Sequence, residues 1–236
     1  YVFVFPGVTP QCMGCTISAN VHASYNGEEV TYYHASYSAL QYCANQLKKT
    51  NIDAKTRRLL SDLLVYGEKA QLYRNYKTDN LVTAGLTLEP STFTALGAEY
   101  NKQLLVGDKS TEADWAGVGL ILSDDMILRM KIQTENPEAY TYEVKLRDRL
   151  TVFTGEDLEP VAGTSNQYYL YFEGIKATEF DMVITATIKE NGVQVGRILN
   201  YSVNTYIQKY QDNTSIAYLA DLLKATYNYG NSAMNY

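Results

Sequence analysis

Aromatic side chains beside polar groups are the residues of this chain best suited to chemistry at a surface. The chain has 22 Tyr, 6 Phe and a single Trp. Aromatic rings stack on the apolar faces of sugar rings, while nearby polar groups bind the sugar hydroxyls. The candidate carbohydrate-binding residues are Trp115 with Asp114, Tyr140 with Tyr142, Tyr169 with Tyr171, and Tyr32 with Tyr33.

Each of these rings also has a purely structural explanation. Tyr favours half-exposed strands, so sheet packing with the hydroxyl at the rim accounts for any single tyrosine. Trp115 lies in a polar segment that leads into a predicted strand. It is either a lid on a sheet core or an exposed stacking platform, and the sequence does not choose between them.

Groups that could support catalysis are few. The chain has two His and lacks the nucleophile elbow, the phosphate loop, the His-Glu-x-x-His motif and the dinucleotide fingerprint. The acidic runs Asp124-Asp125 and Glu156-Asp157 with Glu159 have the composition for glycoside hydrolysis. Adjacent acids between strands are more often solvated turns. We therefore expect no enzyme activity, no catalytic residues and no cofactor.

The three cysteines do not form a recognised metal motif. Cys12 and Cys15 are followed by His22 and His34 at a spacing that matches no strong zinc pattern. The position of the pair between strand-like runs also disfavours a redox Cys-x-x-Cys. We expect no metal site, either a local disulfide or two free thiols at Cys12 and Cys15, and a buried Cys43.

The overall composition narrows the class of protein. A length of 236 residues with 46% hydrophobic residues suits two folded regions. A net charge of −6 argues against a nucleic-acid partner, and no apolar run is long enough to span a bilayer. The start, Tyr1 to Gly7, lacks the pattern of a signal peptide. We expect either that a leader was removed or that the chain comes from a longer protein.

An internal repeat is the most informative pattern. Residues 5–73 and 172–236 match in order, with a strand-like run first and helical spacing afterwards. The matching pairs are Asn26-Gly27 with Asn191-Gly192, Tyr37-Ser38 with Tyr201-Ser202, and Tyr66-Gly67 with Tyr229-Gly230. Asn-Gly predicts a type I′ hairpin turn in each copy. A Gly inside a helix predicts close packing against a neighbour.

The patterns predict an α+β fold with an antiparallel, Ig-like β-sandwich followed by a helical pair, and a second, partial copy at the N-terminus. The partial copy covers 1–91, with strands over about 1–35 and helices over about 37–76. The complete copy covers 92–236, with the sandwich over about 92–200 and helices over 201–236. Alternating apolar residues place further strands at Gly117–Leu122, Met126–Thr134 and Tyr140–Val152. The strands of the partial copy should leave an unpaired sheet edge.

The helical segments resemble a module of large secreted proteins of gut Firmicutes. The residues that carry the resemblance are 37–38, 63–71, Tyr73 and 75–81 in the first copy, and 201–202, 222–225, 229–230 and Ala233 in the second. Such modules are similar to the sandwich-plus-helices domains of ruminococcal starch-adherence (amylosome) proteins, which are non-enzymatic and hold α-glucan.

This resemblance implies a secreted or cell-surface, starch-binding protein. Its partners would be a polysaccharide, an α-glucan, and neighbouring modules of the same parent protein. From the charge and the apolar runs described above we expect no nucleic-acid partner and no membrane span. A structural spacer or adhesion module without a small ligand is the alternative, and the sequence does not separate the two.

Overall fold

The computed structural model describes residues 4–5, 7–101, 104–122 and 126–236. The chain is mixed α+β, with antiparallel sheets and four α-helices in this described part, which confirms the broad fold class. The strands are β1 (Ile17–Tyr25), β2 (Glu28–Tyr37), β3 (Leu105–Val106), β4 (Ala113–Leu122), β5 (Met126–Thr134), β6 (Thr141–Leu146), β7 (Arg149–Phe153), β8 (Glu159–Pro160), β9 (Gln167–Phe172), β10 (Ile184–Glu190) and β11 (Val193–Tyr201). The helices are α1 (Ala39–Leu47), α2 (Ala54–Arg74), α3 (Val203–Tyr210) and α4 (Leu219–Met234). None of the described helices has the length and apolar character needed to cross a bilayer.

The chain divides into two compact units. The first unit joins Tyr1–Phe93 to Thr214–Tyr236, and the second is Thr94–Asn213. The division predicted from the repeat, between residues 91 and 92, lies close to the first of these boundaries. It does not anticipate that the closing segment, which contains α4, belongs to the first unit.

The first unit contains a helical core. Met13, Cys43, Leu60, Leu64 and Val82 are its buried centre. Helix α2 packs against α4, where the rings of Tyr66 and Tyr229 stack with centroids 5.5 Å apart and planes 11° apart. The helical spacing in the sequence thus correctly predicted α1 and α2, and it correctly predicted that Cys43 is buried.

Short side chains define where the helices begin and how closely they pack. The Asp53 carboxylate accepts a hydrogen bond from the Thr56 amide at 2.9 Å, so it caps α2. A Cβ added to Gly67 in α2 would lie 2.7 Å from Met13 Sδ and 3.1 Å from the Pro10 carbonyl oxygen. The prediction of close packing at Gly67 is therefore confirmed.

The second unit contains two antiparallel sheets. One has the strand order β3-β11-β10-β6-β7, and the other has the order β4-β5-β9-β8. Alternate residues of β5, β6 and β10 are buried, as the two-residue periodicity predicted; these are Met126, Leu128, Met130, Ile132, Tyr142, Val144, Leu146, Ile184, Ala186 and Ile188. The strand predicted over 140–152 is wrong, because the chain turns at Arg147 (φ 54°) and makes the β6–β7 hairpin.

The two Asn-Gly turns have the same backbone conformation. The φ values are 52° and 83° at Asn26 and Gly27, and 49° and 81° at Asn191 and Gly192. Positive φ at both central residues is the requirement of a type I′ turn, so both predicted hairpins are confirmed. The hairpins differ in their surroundings. Among the described residues β1 and β2 form a two-stranded sheet alone, whereas β10 and β11 lie inside the five-stranded sheet.

Candidate functional site

Trp115 is a core residue of the second unit. Its side chain is 2% exposed, and Trp115 pairs with Ile132 of β5 immediately before the bulge of β4. The sequence left two alternatives for Trp115, a lid on the sheet core or an exposed stacking platform, and the structure supports the first. A ring that is buried on this scale offers no face for a sugar in this conformation, so the stacking role predicted for Trp115 is not supported.

Asp114 is 3% exposed and forms an ion pair with Arg197 of β11. The Asp114 carboxylate accepts hydrogen bonds from the Arg197 amide at 3.1 Å and from Nε at 2.9 Å, and Nη2 lies 2.6 Å from Oδ2. Arg197 Nη2 also donates to the Trp115 carbonyl oxygen at 3.3 Å. Both carboxylate oxygens of Asp114 already have partners. Asp114 therefore links β4 to β11 and has no free oxygen for a ligand.

A glycine makes the Asp114–Arg197 contact possible. Gly196 has a φ of 66°, and a Cβ placed there would lie 2.5 Å from the Ala113 carbonyl oxygen. Any side chain would push β11 away from β4 at this point. The sequence did not identify Gly196 or Arg197, because their role depends on which strands become neighbours.

Tyr140 and Tyr142 are also buried, with 8% and 0% of their surface exposed. The Tyr142 hydroxyl donates to the Pro137 carbonyl oxygen at 3.1 Å, and burial raises the pKa of this phenol. Both rings therefore have the structural explanation given from the sequence, packing within the sheet. The side chains of Tyr32 and Tyr33 lie outside the part of the structure that is described.

Tyr169 and Tyr171 differ from the other candidates because both rings are partly exposed. Their neighbours Leu170 and Phe172 are buried, so alternation along β9 directs the two tyrosines to the outer face of the sheet. The ring centroids are 6.2 Å apart and the planes differ by 51°. The structure thus places one predicted pair side by side on a surface.

Charged side chains surround this tyrosine pair. The Arg129 guanidinium lies 4.6 Å from the centre of the Tyr169 ring, a cation–π contact. Partial burial raises the pKa of the Tyr171 phenol, and so does its hydrogen bond to Glu159. The Tyr171 phenol therefore carries its proton at neutral pH.

A cleft lies at the same face of the second unit. It has a volume of about 460 Å³ and a polar lining. Strand pairing sets Lys131 opposite Tyr169 and Gln133 opposite Gln167, so the cleft adjoins the tyrosine pair. Its lining residues are Leu105, Lys109, Ser110, Thr111, Asp114, Trp115, Ala116, Gly117, Lys131, Gln133, Gln167 and Arg197.

The acidic candidates have structural surroundings where they are described. The Asp157 carboxylate accepts a hydrogen bond from the Thr154 amide at 2.7 Å in a capped turn, and Glu159 bonds Tyr171. Asp124 and Asp125 lie outside the described residues. Cys12 and Cys15 form a disulfide, one of the two states that the sequence left open. No cluster of metal-binding side chains occurs in the described ranges.

Comparison with known proteins gave no match: no family model, no curated protein and no solved structure matches the chain.

Proposed function

We propose that the chain is a non-catalytic carbohydrate-binding protein and that it binds its ligand on the outer face of β5 and β9. One observation carries this proposal: Tyr169 and Tyr171 lie side by side, partly exposed, on a single strand. Two rings at this spacing offer apolar surface to consecutive sugar units. Arg129, Lys131 and Gln133 supply hydrogen-bond donors at the rim.

The ligand class that we propose is starch or a related α-glucan. The angle of 51° between the ring planes suits a polymer whose successive sugar rings are not coplanar. The choice of glucan also draws on the resemblance to ruminococcal starch-adherence domains, carried by the helical residues quoted above. A secreted or cell-surface location accompanies this proposal, and the Cys12–Cys15 disulfide supports it because disulfides persist in oxidising compartments.

We further propose that the two sheets of the second unit form an Ig-like sandwich and that the N-terminal segment is a partial copy of the later one. Equivalent contacts support the repeat. The Leu40 amide donates to the Met13 carbonyl at 2.8 Å, and the Asn204 amide donates to the Phe180 carbonyl at 3.1 Å. Ser38 and Ser202 cap α1 and α3 with hydrogen bonds of 3.0 Å from Gln41 and Thr205.

Affinity electrophoresis through gels that contain amylopectin tests the binding proposal. We expect the native chain to be retarded, and we expect Tyr169→Ala and Tyr171→Ala each to remove most of the retardation. Loss of one stacked ring should weaken binding on the order of tenfold. Tyr42→Ala is the matched control, because Tyr42 is an exposed tyrosine on α1 of the first unit.

Two results would contradict the proposal. One is the absence of retardation by any glucan, and the other is equal retardation of the Tyr169→Ala and Tyr42→Ala variants. Trp115→Ala is a poor test, because removing a ring that is 2% exposed costs about 3–5 kcal/mol of stability.

A spacer or adhesion module remains the second candidate, and the β1–β2 hairpin favours it. Val21 of β1 is 37% exposed, whereas Ile188 at the corresponding place in β10 is fully buried. A two-stranded sheet with exposed apolar residues is suited to contact a neighbouring module. Concentration-dependent self-association in analytical ultracentrifugation, without retardation by glucans, would favour this candidate.

A further inference from the structure

The cleft beside the tyrosine pair is rich in hydrogen-bond donors. Its lining includes the ammonium groups of Lys109 and Lys131 and the side-chain amides of Gln133 and Gln167. In the described part of the chain neither lysine takes part in an ion pair. Lys131 lies over Gly117, where a Cβ would be 3.6 Å from its Cε, so the missing side chain leaves room for the lysine.

Asp114, the acidic residue of the cleft, does not neutralise the positive charge of these lysines. Asp114 is already paired with Arg197, at 2.6 Å between Oδ2 and Nη2. The charges of this pair cancel, so Lys109 and Lys131 determine the net charge of the cleft. The cleft is therefore positive in a protein whose net charge is −6. A local potential of this kind selects anions.

Trp115 borders the cleft without adding to its accessible donors. Trp115 lines the cleft, and its buried Nε1 has no hydrogen-bond partner among the described residues. Nε1 is shielded from the cleft in this conformation, so the donors open to a ligand are those of Lys109, Lys131, Gln133 and Gln167. A carboxylate is an acceptor only, with about four lone-pair sites, and so it matches a cleft lined by N–H donors.

We propose that this cleft binds the carboxylate of an acidic saccharide, with a uronic acid as the recognised sugar. The proposal rests on the carbohydrate-binding function proposed above and goes beyond its α-glucan ligand: starch has no carboxylate, so the acidic saccharide is a second ligand class for the same site. The sugar that bears the carboxylate lies in the cleft at Lys131, and the next sugar along the chain stacks on Tyr169, which pairs with Lys131 across the strands. The charged ligand group and the stacking rings are thus parts of one site.

The fluorescence of Trp115 gives a direct test, because it is the only Trp of the chain and lines the cleft. Sodium glucuronate and glucose are titrated at matched ionic strength. We expect a saturable change with glucuronate, little change with glucose, and weaker binding as salt is added. Lys131→Gln should raise the Kd for glucuronate about tenfold, since it removes one charge-assisted hydrogen bond.

Lys55→Gln is the control variant, since Lys55 is an exposed lysine of the first unit, and it should bind glucuronate as the native chain does. Equal responses to glucuronate and glucose, or equal affinities of the two lysine variants, would overturn the proposal. Competition by inorganic sulfate at the same concentration as glucuronate would assign the cleft to free oxyanions and overturn its saccharide part.

The two proposals fail in different ways. If amylopectin retards the native chain and not Tyr169→Ala, while glucuronate has no effect on Trp115, the acidic-sugar inference fails and the carbohydrate-binding function stands. If neither a neutral nor an acidic saccharide binds, both fail.

Discussion

At the scale of single residues, burial decides which aromatic side chains can meet a ligand. Trp115 and Tyr142 are as aromatic as Tyr169 and Tyr171, yet only the second pair is partly exposed. The difference lies in which face of a strand each residue occupies. Alternation along β9 separates the buried Leu170 from the partly exposed tyrosines, and this is a signal that the sequence contains.

Gly196 gives a testable prediction at the scale of single residues. Gly196→Ala forces a side chain onto a residue with a φ of 66° and places its Cβ 2.5 Å from the Ala113 carbonyl oxygen. We expect a loss of about 3 kcal/mol in the free energy of unfolding, from backbone strain and from the clash together. Urea unfolding followed by circular dichroism measures this loss.

Gly192→Ala is the control for that substitution. Gly192 has a φ of 81° and no neighbour within 4 Å of an added Cβ, so this variant bears the backbone strain without the clash. Its expected cost is about 1–2 kcal/mol. Equal losses in the two variants would show that the close approach of β11 to β4 does not limit stability.

The sequence could not have identified the polar half of the site. Arg129 and Lys131 alternate with core residues in β5, so their outward direction was predictable. Their position beside Tyr169 and Tyr171 depends on the pairing of β5 with β9, two strands that are separated by a whole hairpin. Strand register between distant segments is set by packing of the complete unit, which local patterns do not report.

At the scale of elements, the helices and hairpins follow local rules closely. The Asn-Gly turns and the spacing of apolar residues in α2, both predicted, correspond to the structure, and in the structure serines cap α1 and α3. The strand predicted over 140–152 fails, because Arg147-Asp148 lacks the glycine or asparagine that signals a tight turn. The alternation of residue types along 140–152 continues through the turn, so this pattern does not indicate where the turn lies.

Helix α2 gives the prediction for this scale. Gly67→Ala improves helix propensity by up to about 1 kcal/mol, but the new Cβ meets Met13 Sδ at 2.7 Å and the Pro10 carbonyl oxygen at 3.1 Å. Because overpacking costs about 1–3 kcal/mol, we expect a net loss of about 1 kcal/mol. Thermal unfolding measures the change.

A double-mutant cycle tests whether Met13 is the neighbour that makes Gly67→Ala destabilising. In a Met13→Ala background the sulfur atom is gone, so Gly67→Ala should cost less than it does in the native chain. An unchanged cost would mean that the contact between Gly67 and Met13 does not constrain α2.

At the scale of the whole molecule, each unit contains its own probe of folding. Cys43 is 1% exposed in the first unit, and burial raises its pKa to about 11. Its thiol is therefore protonated and unreactive at pH 8 in the folded chain. Unfolding returns the pKa to its ordinary value of about 8.5, where the thiolate reacts. Trp115 reports on the second unit by its fluorescence.

These probes allow the division into units to be tested. Leu223 of α4 is fully buried in the first unit, so Leu223→Ala should destabilise that unit by about 2–5 kcal/mol. We expect Cys43 to be labelled by a thiol reagent at lower urea concentration, while the Trp115 transition stays in place. Leu128→Ala, at a fully buried position of the second unit, should give the reverse. Parallel shifts of both probes would contradict the division.

The membership of α4 in the first unit also affects how the chain acquires its shape during synthesis. Residues 94–213 are contiguous and can fold as soon as they leave the ribosome. The first 93 residues emerge earlier, but α2 cannot pack against α4 until α4 has been synthesised. At a synthesis rate of about 5–20 residues per second this delay is on the order of ten seconds, during which an apolar helix face is open to chaperones.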